Sequence, residues 1–233
     1  MENYIELLRW DSDFFDLKIG KIIEDPNLEE SVQIAKDQAY RLVYCYVSPK
    51  DEHAKKTVEK YGGVLVDRRV MYAQQTNPAW KDILLDSKLY SGMGSEMSSD
   101  LENLAIACGH HSRFCIDEKI PHDLFEKMYS IWIQKSLEGQ IAAEVFLYGD
   151  QEGLCTVRDL ENRADIGLIG VHETLRGQGV GRKMMCAAMS YAAKRDFPAL
   201  QVATQVDNVG ACAFYENLGF QVDHRVDIYH LWL

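Results

Sequence analysis

The sequence lacks any long apolar run. Hydrophobic residues make up 47% of its 233 residues, but no uninterrupted stretch approaches the roughly 18 residues that a membrane-spanning helix needs. Residues 1–6 also lack the basic start and apolar centre that are typical of a secretory signal peptide. These absences predict a protein that neither crosses a membrane nor is exported, so we expect it in the cytoplasm.

Cysteine pairs are missing as well. The six cysteines are scattered along the chain, and none belongs to a C-x-x-C pair. Because structural zinc sites use closely spaced cysteine and histidine ligands, the sequence predicts no metal site. Isolated thiols of this kind suit a reducing compartment, where each one acts as a small hydrophobic side chain.

The sequence has fewer basic residues than acidic residues. Lysine and arginine together number 25 against 36 aspartates and glutamates, which gives a net charge of −11. This balance argues against nucleic acid or an anionic membrane as a partner, and it would suit a cationic substrate. Against that background Arg176, Arg182 and Lys183 form a local basic cluster. The cluster indicates either a site for a small phosphorylated ligand or a solvated helix face.

A glycine-rich loop near residue 180 is the most informative feature of the chain. A short apolar run at 166–171 leads into it, and an amphipathic helix follows. Gly177, Gly179 and Gly181 remove side chains where the backbone must approach another group closely. The first turn of the helix then offers unpaired N–H groups at its positive end, which is a common cradle for pyrophosphate. A strand-to-helix turn without a ligand is the alternative, but one glycine would suffice for it.

The spacing of that loop separates several nucleotide-binding motifs. It contains R-G-Q-G-V-G, which matches neither the dinucleotide fingerprint G-x-G-x-x-G nor the phosphate loop that ends in G-K-[ST]. The pyrophosphate ligand must therefore belong to another class.

Periodicity and turn residues predict an α/β protein in two parts. Residues 1–95 would form a small α/β domain and a linker, and residues 96–233 a larger domain. In the first part we expect strands at 4–10, 14–23, 42–48 and 64–74, helices at 28–41 and 51–61, and a linker at 76–99. In the second part we expect helices at 100–108 and after Pro121, and strands at 141–148, 154–159 and 164–171. A helix, a strand, a helix and two final strands complete it.

Two segments resemble the GNAT superfamily of N-acetyltransferases. The loop matches the acetyl-CoA pattern [QR]-x-x-G-x-[GA] at Arg176, Gly179 and Gly181. Residues 208–220 are similar to the superfamily segment N-x-x-A-x-x-F-Y-x-x-x-G-F. The resemblance covers residues 100–233 and implies a GNAT fold, in which a central mixed, mostly antiparallel sheet with two splayed parallel strands is flanked by helices. The smaller N-terminal α/β domain would precede it.

The resemblance also implies a cosubstrate and a set of site residues. Acetyl-CoA would be held by the strand before the loop, by the loop itself and by the next helix. These positions are Ile169, Gly170, Val171, Arg176, Gly177, Gln178, Gly179, Val180, Gly181, Arg182, Asn208 and Tyr215. The N–H of Val171 would stabilise the oxyanion, and Tyr215 would protonate the departing thiolate. The alternatives are a core tyrosine at 215 and a plain helix cap at 208.

The general base is left open by the sequence. Glu144 lies in a predicted strand, and His172 and Glu173 flank the loop, but a water chain without a dedicated base would also serve. His110 and His111 could equally be surface residues.

The acceptor is suggested by two less specific segments. Residues 8–15 and 112–136 resemble those of the bacterial dTDP-fucosamine acetyltransferases, which implies an amine on a nucleotide-linked amino sugar as the acceptor. Asp11, Ser12 and Arg113 would then line its pocket, with Arg113 at the phosphates. A polyamine, an antibiotic or a protein N-terminus remains as another acceptor. A non-catalytic CoA-binding module is a further alternative, and a homodimer is left open.

Overall fold

Ten strands form one continuous sheet in the computed structural model, which describes residues 5–233. In chain order the strands are β1 (Glu6–Leu7), β2 (Ile19–Ile23), β3 (Leu42–Val47), β4 (Val64–Gln75), β5 (Leu89–Ser91), β6 (Glu144–Tyr148), β7 (Gly153–Asp159), β8 (Ala164–Val171), β9 (Ala199–Gln205) and β10 (Gln221–Trp232). Their order in the sheet is β1-β2-β3-β10-β4-β9-β8-β7-β6-β5. Only β2–β3 and β8–β9 are parallel pairs. The predicted α/β class with a mixed, mostly antiparallel sheet is confirmed.

Eight helices cover the two faces of this sheet among the described residues. They are α1 (Arg9–Phe15), α2 (Leu28–Asp37), α3 (Glu52–Lys60), α4 (Ser99–Cys108), α5 (Arg113–Ile116), α6 (His122–Leu137), α7 (Val180–Lys194) and α8 (Val209–Asn217). Helices α7 and α8 share a core with the central strands. Helices α4 and α6 pack on the opposite face, while α2 and α3 cover the end near β3. The central strands are therefore enclosed on both sides.

The first and last parts of the chain meet in the middle of the sheet. Strand β10 lies between β3 and β4, and β4 in turn pairs with β9. Strands from residues 1–95 and from 96–233 thus alternate at this point. The division of the chain into two domains at residue 95 stays a prediction.

The N-terminal segment departs from the predicted pair of strands. Tyr4 lies outside the described residues, and β1 covers only Glu6–Leu7 before a helix begins at Arg9. In this helix Trp10 and Phe14, four residues apart, stack with ring centroids 5.2 Å apart. The Ser12 hydroxyl donates to the Leu8 carbonyl at 2.6 Å and accepts from the Ile19 N–H at 3.0 Å. Aromatic and hydroxyl contacts with the rest of the fold therefore override the alternation that predicted a strand.

Two other expectations also change. The two final strands are one twelve-residue strand, β10, with irregular pairing between Val222 and His224 and between Ile228 and Tyr229. Such irregularities break the period of two without ending a strand. The linker at 76–99 contains a short 3-10 helix, Pro78–Asp82, and the edge strand β5. Among residues 5–233, no helix is both long and apolar enough to cross a membrane.

Candidate active site

The parallel strands β8 and β9 separate part-way along their length. They pair at Ala164, Asp165 and Ile166 of β8, and the pairing stops there. The cause is a bulge, because β8 uses three steps from Ile166 to Ile169 where β7 uses two from Val157 to Cys155. A bulge bends its strand and ends regular pairing. Both strands stay bound on their outer sides, so a V-shaped opening forms between them.

Backbone groups of β8 point into this opening. The N–H groups of Leu168 and His172 are directed towards β7, each with an acceptor at 2.8 Å. Since backbone direction alternates along a strand, the N–H groups of Ile169 and Val171 face the opposite edge, where β9 has diverged. An extended ligand could pair with this free edge as a strand would. The Val171 N–H, the predicted oxyanion donor, therefore faces this free edge.

The glycine loop follows immediately and opens to solvent. Gly177 and Gly179 have φ of +75° and +79°, and a Cβ built on either would have nothing within 4 Å. The first helical bond of α7 runs from the Lys183 N–H to the Gly179 carbonyl at 3.1 Å. The preceding N–H groups, from Gly179 to Arg182, consequently lack helical acceptors. They form a cradle with room for an anion, and these residues fit the pyrophosphate of CoA.

The basic side chains near the loop differ in direction. Arg176 Nε donates to the Val171 carbonyl at 3.1 Å, which ties the loop to the end of β8. Arg182 is exposed on the first turn of α7. Lys183 turns away, because its Nζ lies 2.9 Å from Asp86 Oδ2 and 3.2 Å from the Tyr148 hydroxyl. The predicted cluster of three is therefore reduced to two residues at the loop.

The helix after β9 carries the other predicted donor-site residues. Asn208 caps α8 by accepting a hydrogen bond from the Ala211 N–H at 3.2 Å, so the helix-cap reading of this residue holds in the protein alone. It also lies on the wall of the opening. Tyr215 is 4% exposed and lies on the same wall. Its hydroxyl forms no hydrogen bond with another described residue, and burial raises the pKa of the phenol above its ordinary value. A phenol of this kind keeps its proton at neutral pH, so its O–H is available as a hydrogen-bond donor to a developing anion.

A cavity of about 880 Å³ extends from the opening to the opposite side of the sheet. Most of the predicted donor residues line it, namely Ile169, Gly170, Val171, Arg176, Gly181, Asn208 and Tyr215. Gly177, Gln178 and Gly179 lie outside its wall on the exposed loop, and Arg182 lies outside it on the first turn of α7. Val180 is packed in the core below. One cavity therefore connects the start of α7, at Gly181, with a second, more polar wall.

This second wall is built by side chains of β4, β7 and the segment from α4 to α6. Three of them are arginines: Arg69, Arg113 and Arg158. Arg69 pairs with Asp67 at 3.0 Å, and Arg158 Nε donates to Asp165 at 3.0 Å. Among the described residues that line the cavity, none is an aspartate or a glutamate. The charged side chains that line this wall are therefore all cationic, although Arg69 and Arg158 are each paired with a carboxylate behind it.

Arg113 is the unusual member of the three. It is 9% exposed, and its guanidinium carbon lies 4.6 Å from the Tyr44 ring centroid and 4.2 Å from that of Phe114. Within residues 5–233 it forms no salt bridge, and its Nε has no hydrogen-bond partner. Asp11 lies near it: burial raises the pKa of this carboxyl, and the charge of Arg113 opposes the rise. Buried polar groups without partners are rare in proteins, so Arg113 is a strong candidate to meet an anionic ligand.

The other residues predicted for the acceptor pocket are placed differently. Ser12 holds α1 to β2 through the hydrogen bonds described above, and neither Ser12 nor Asp11 lines the cavity. The aromatic residues of these segments do pack together: Phe14, Phe15, Phe114, Phe125 and Trp132 share one core cluster. Of the group, Phe114 and Trp132 also reach the cavity wall.

The three proposed bases do not reach the cavity. The carboxylate of Glu144 accepts from Ser91 Oγ at 2.6 Å at the edge of the sheet. His172 Nδ1 lies 2.8 Å from the Thr174 hydroxyl, where it caps a 3-10 turn, and Glu173 is exposed in that turn. His111, in contrast, lies on the cavity wall. Within the described residues, no cluster of three or more His, Cys, Asp or Glu side chains is arranged to hold a metal ion.

Sequence reasoning missed Arg69, Arg158 and Tyr129 on the polar wall. Arg69 belongs to a strand that pairs with β9, which lies more than a hundred residues away in the chain. A local motif could not reveal it, because only the tertiary pairing brings it to the cavity. Arg158 had a weak signal, since its partner Asp165 lies across a short hairpin.

Comparison with known proteins decides the family. The profile of the Acetyltransferase (GNAT) family matches residues 99–220, which is more than half of the chain. The chain belongs to the GNAT family. It is thus an acetyltransferase, and its family uses acetyl-CoA as the acetyl donor. The match begins at α4 and includes the opened strands, the glycine loop and Tyr215.

Relatives of this GNAT protein differ in how much of the chain they match. A dTDP-fucosamine acetyltransferase from Escherichia coli O6:H1 is 26% identical over 226 residues, 94% of each chain. N-alpha-acetyltransferase 30 from Schizosaccharomyces pombe is 33% identical over 69 residues, 30% of this chain and 46% of its own. Among solved structures, a GCN5-related N-acetyltransferase from Sphaerobacter thermophilus has a TM-score of 0.54 at 18% identity. It covers 87% of this chain and 64% of its own, which supports the fold alone.

Proposed function

We propose that this GNAT enzyme acetylates the primary amine of a nucleotide-linked amino sugar, similar to dTDP-fucosamine, with acetyl-CoA as donor. The observation that carries the acceptor class is Arg113, a buried cation without a salt bridge among the described residues, on a cavity wall that has no carboxylate. Such a wall stabilises an anionic acceptor and opposes a polycation. The similarity to the Escherichia coli enzyme extends over 94% of both chains and supports the same acceptor class.

In this proposal the donor side works mainly through backbone groups. The N–H groups from Gln178 to Arg182 bind the pyrophosphate, although that of Gln178 already lies 3.4 Å from the Leu175 carbonyl. The free edge of β8 pairs with the pantetheine arm, and Asn208 contacts it from α8. The neutral amine attacks the thioester carbonyl carbon, and the Val171 N–H stabilises the oxyanion that forms. As the C–S bond breaks, the Tyr215 hydroxyl gives its proton to the thiolate.

The charge of the whole protein favours a different acceptor, but the local wall outweighs it. A net charge of −11 would attract a polyamine or a cationic antibiotic. At contact distance, however, electrostatic energy is set by the nearest charges, since salt screens charges beyond about 8 Å. Among the charges that line the wall, Arg113 forms no salt bridge with a described residue, whereas Arg69 and Arg158 are paired with Asp67 and Asp165. The overall charge therefore affects encounter more than binding.

A thiol-release assay with four acceptors tests the proposal. These are a dTDP-linked 4-amino sugar, the same amino sugar without its nucleotide, spermidine and a peptide with a free N-terminus. We expect the nucleotide-linked sugar to have the highest kcat/KM, because only it brings an anion to Arg113. A higher kcat/KM for spermidine or the peptide would reject the proposed acceptor class. If the protein binds acetyl-CoA and releases no thiol with any of the four acceptors, the proposed acceptor class is also rejected.

A further inference from the structure

The proposed function requires a group that accepts the proton lost by the amine. Amide formation releases one proton from nitrogen, and the bases considered from sequence lie away from the cavity. The side chains on the wall that can exchange protons are few. Among the described residues they are Arg69, Cys108, His111, Arg113, Tyr129, Arg158, Arg176 and Tyr215.

Most members of that set cannot accept a proton. The arginines remain protonated and have no lone pair to offer. Burial raises the pKa of the Cys108 thiol to about 12 and that of the Tyr129 phenol to about 12, so both already hold their protons. Tyr215 has the opposite task, which is to supply a proton. Histidine is the side chain that ordinarily gains and loses a proton near neutral pH.

The backbone next to His111 packs closely against β8, the strand that carries Ile169 and Gly170. Cys108, at the end of α4, directs its Sγ to the Ile169 carbonyl at 3.3 Å. A Cβ on Gly170 would lie 2.7 Å from the same sulfur, and one on Gly109 would lie 2.3 Å from the Tyr129 ring. These close approaches hold the end of α4 against β8 on one side and against α6 on the other. His111 is three residues beyond Cys108, so its backbone lies within about 10 Å of it.

A turn separates His111 from its neighbour His110. The Ser112 N–H donates to the Gly109 carbonyl at 2.8 Å, which leaves the two histidines as the central residues of the turn. The His110 ring is near Phe125, with centroids 6.3 Å apart, and it does not line the cavity. His111 does line the cavity and is also exposed, so it can return a proton to solvent.

We propose that His111 is the proton acceptor for the amine. As the nitrogen attacks the thioester carbonyl carbon, its N–H proton passes to an unprotonated ring nitrogen of His111. The C–S bond then breaks, and the thiolate takes the proton of Tyr215. His111 releases its proton to water and Tyr215 regains one, so the sum is amine plus acetyl-CoA giving amide plus CoA.

The cations around the cavity favour the neutral form of the acceptor amine, which is the form that attacks. Arg69 on β4, Arg113 on α5, Arg158 on β7 and Arg176 on the loop all line the cavity. Nearby positive charge disfavours an ammonium group, which makes the acceptor easier to deprotonate. The remaining ionisable groups on the wall, Cys108, Tyr129 and Tyr215, are neutral.

His111→Gln and His110→Gln form a matched pair for the test, because both residues are exposed and occupy the same turn. We expect His111→Gln to lower kcat by about 10²–10⁴-fold while acceptor KM and acetyl-CoA affinity stay near native values. The acid side of the pH–rate profile should also change in this variant, because a general base contributes to that side of the profile. His110→Gln should retain the native rate and pH profile.

Three results would overturn the inference: a native kcat and pH profile for His111→Gln, a raised acceptor KM without a change in kcat, or an equal loss in His110→Gln. The inference rests on the proposed function only for the choice of acceptor. If native enzyme ignores nucleotide-linked sugars, that acceptor is rejected. The two variants are then compared on whichever amine the native enzyme acetylates, so the two failures are distinguishable.

Discussion

The two walls of the cavity are made in different ways. The donor wall offers backbone groups from a nearly continuous segment, the end of β8, the glycine loop and the start of α7. The acceptor wall offers side chains from β4, β7 and the segment from α4 to α6. Backbone recognition survives most substitutions, because every residue except proline carries the same N–H group. Side-chain recognition changes with each substitution, so a family can keep its donor while its acceptor varies.

The largest loss of kcat is expected at Tyr215, where the two walls meet. The change Tyr215→Phe keeps the ring and removes only the hydroxyl, so fold and acetyl-CoA binding should be retained. Loss of the proton donor should lower kcat by about 10²–10⁴-fold, measured by thiol release at saturating substrates. An acetyl donor with a more acidic thiol should narrow the gap, because its thiolate needs less protonation.

Tyr72→Phe is the control for that variant. The Tyr72 ring is buried 5.8 Å from the Tyr215 ring, but its hydroxyl donates to Glu216 at 2.6 Å and lies away from the cavity. Its kcat should stay native. A native kcat in Tyr215→Phe as well would mean that water protonates the thiolate and that Tyr215 serves only in packing.

The second largest effect should be a loss of acetyl-CoA affinity, caused by a change in the donor wall. Gly179→Val places a β-branched side chain at φ +79°, in the space where the pyrophosphate would lie. The blocked cradle should raise the Kd for acetyl-CoA by about 100-fold or more, and backbone strain of about 1–3 kcal/mol should lower the stability of the protein. Calorimetric titration of acetyl-CoA measures this directly.

Gly62→Val provides the matched control for strain. Gly62 has φ +89° and nothing within 4 Å of a built Cβ, but it follows α3, away from the cavity. Its variant should lose stability to a similar degree and bind acetyl-CoA normally. Equal binding by Gly179→Val and native protein would place the pyrophosphate elsewhere.

A smaller effect should be a rise in the acceptor KM, caused by a change in the acceptor wall. Arg113→Ala removes a charged hydrogen-bond donor, a change of about 1.5–3 kcal/mol, and should raise the acceptor KM by about 10–100-fold. Acetyl-CoA affinity should not change. Arg113→Lys keeps the charge without the planar fork and should give an intermediate KM.

The lysine variant also distinguishes a loss of acceptor binding from misfolding. Arg113 packs between two aromatic rings, and alanine would leave a gap there. Circular dichroism and acetyl-CoA binding report whether each variant is folded. A folded lysine variant and a folded alanine variant that both retain the native acceptor KM would return Arg113 to a structural role.

The smallest effect on the reaction concerns the support behind the acceptor wall. Asp117, which follows α5, accepts hydrogen bonds from His230 Nδ1 at 2.6 Å and from Trp232 Nε1 at 2.9 Å on β10. Burial lowers the pKa of His230 to about 4. An unfolded chain binds a proton at this histidine near pH 6.5 while the folded chain does not. Stability is therefore full above pH 6.5 and declines towards pH 4.

Urea unfolding between pH 7 and pH 4 measures that decline, which should reach about 3 kcal/mol if this histidine dominates. In His230→Gln the slope over the same range should be smaller, with native kcat at pH 7 as long as the variant is folded. An unchanged slope in the variant would assign the acid sensitivity to other groups.

The sequence by itself determined the donor side of this protein. Left-handed conformations favour the glycines at 177 and 179, and the N-x-x-A-x-x-F-Y segment predicts the helix with Asn208 and Tyr215. These features act through neighbouring residues, so their spacing in the chain reflects their arrangement in space. The strand and helix order from residue 100 onward was recognisable for the same reason.

Only the tertiary structure decided the acceptor side. Arg69 reaches the cavity because β4 inserts between β9 and β10. The resemblance had already suggested Arg113, but only the structure shows that its guanidinium is buried against Tyr44 and Phe114. The direction of Lys183 towards Asp86, and of His111 towards the cavity, likewise follows from packing between distant segments. Pairing over long sequence separations has no local pattern, and for that reason the sequence left the base and most of the acceptor wall open, Arg113 being the exception.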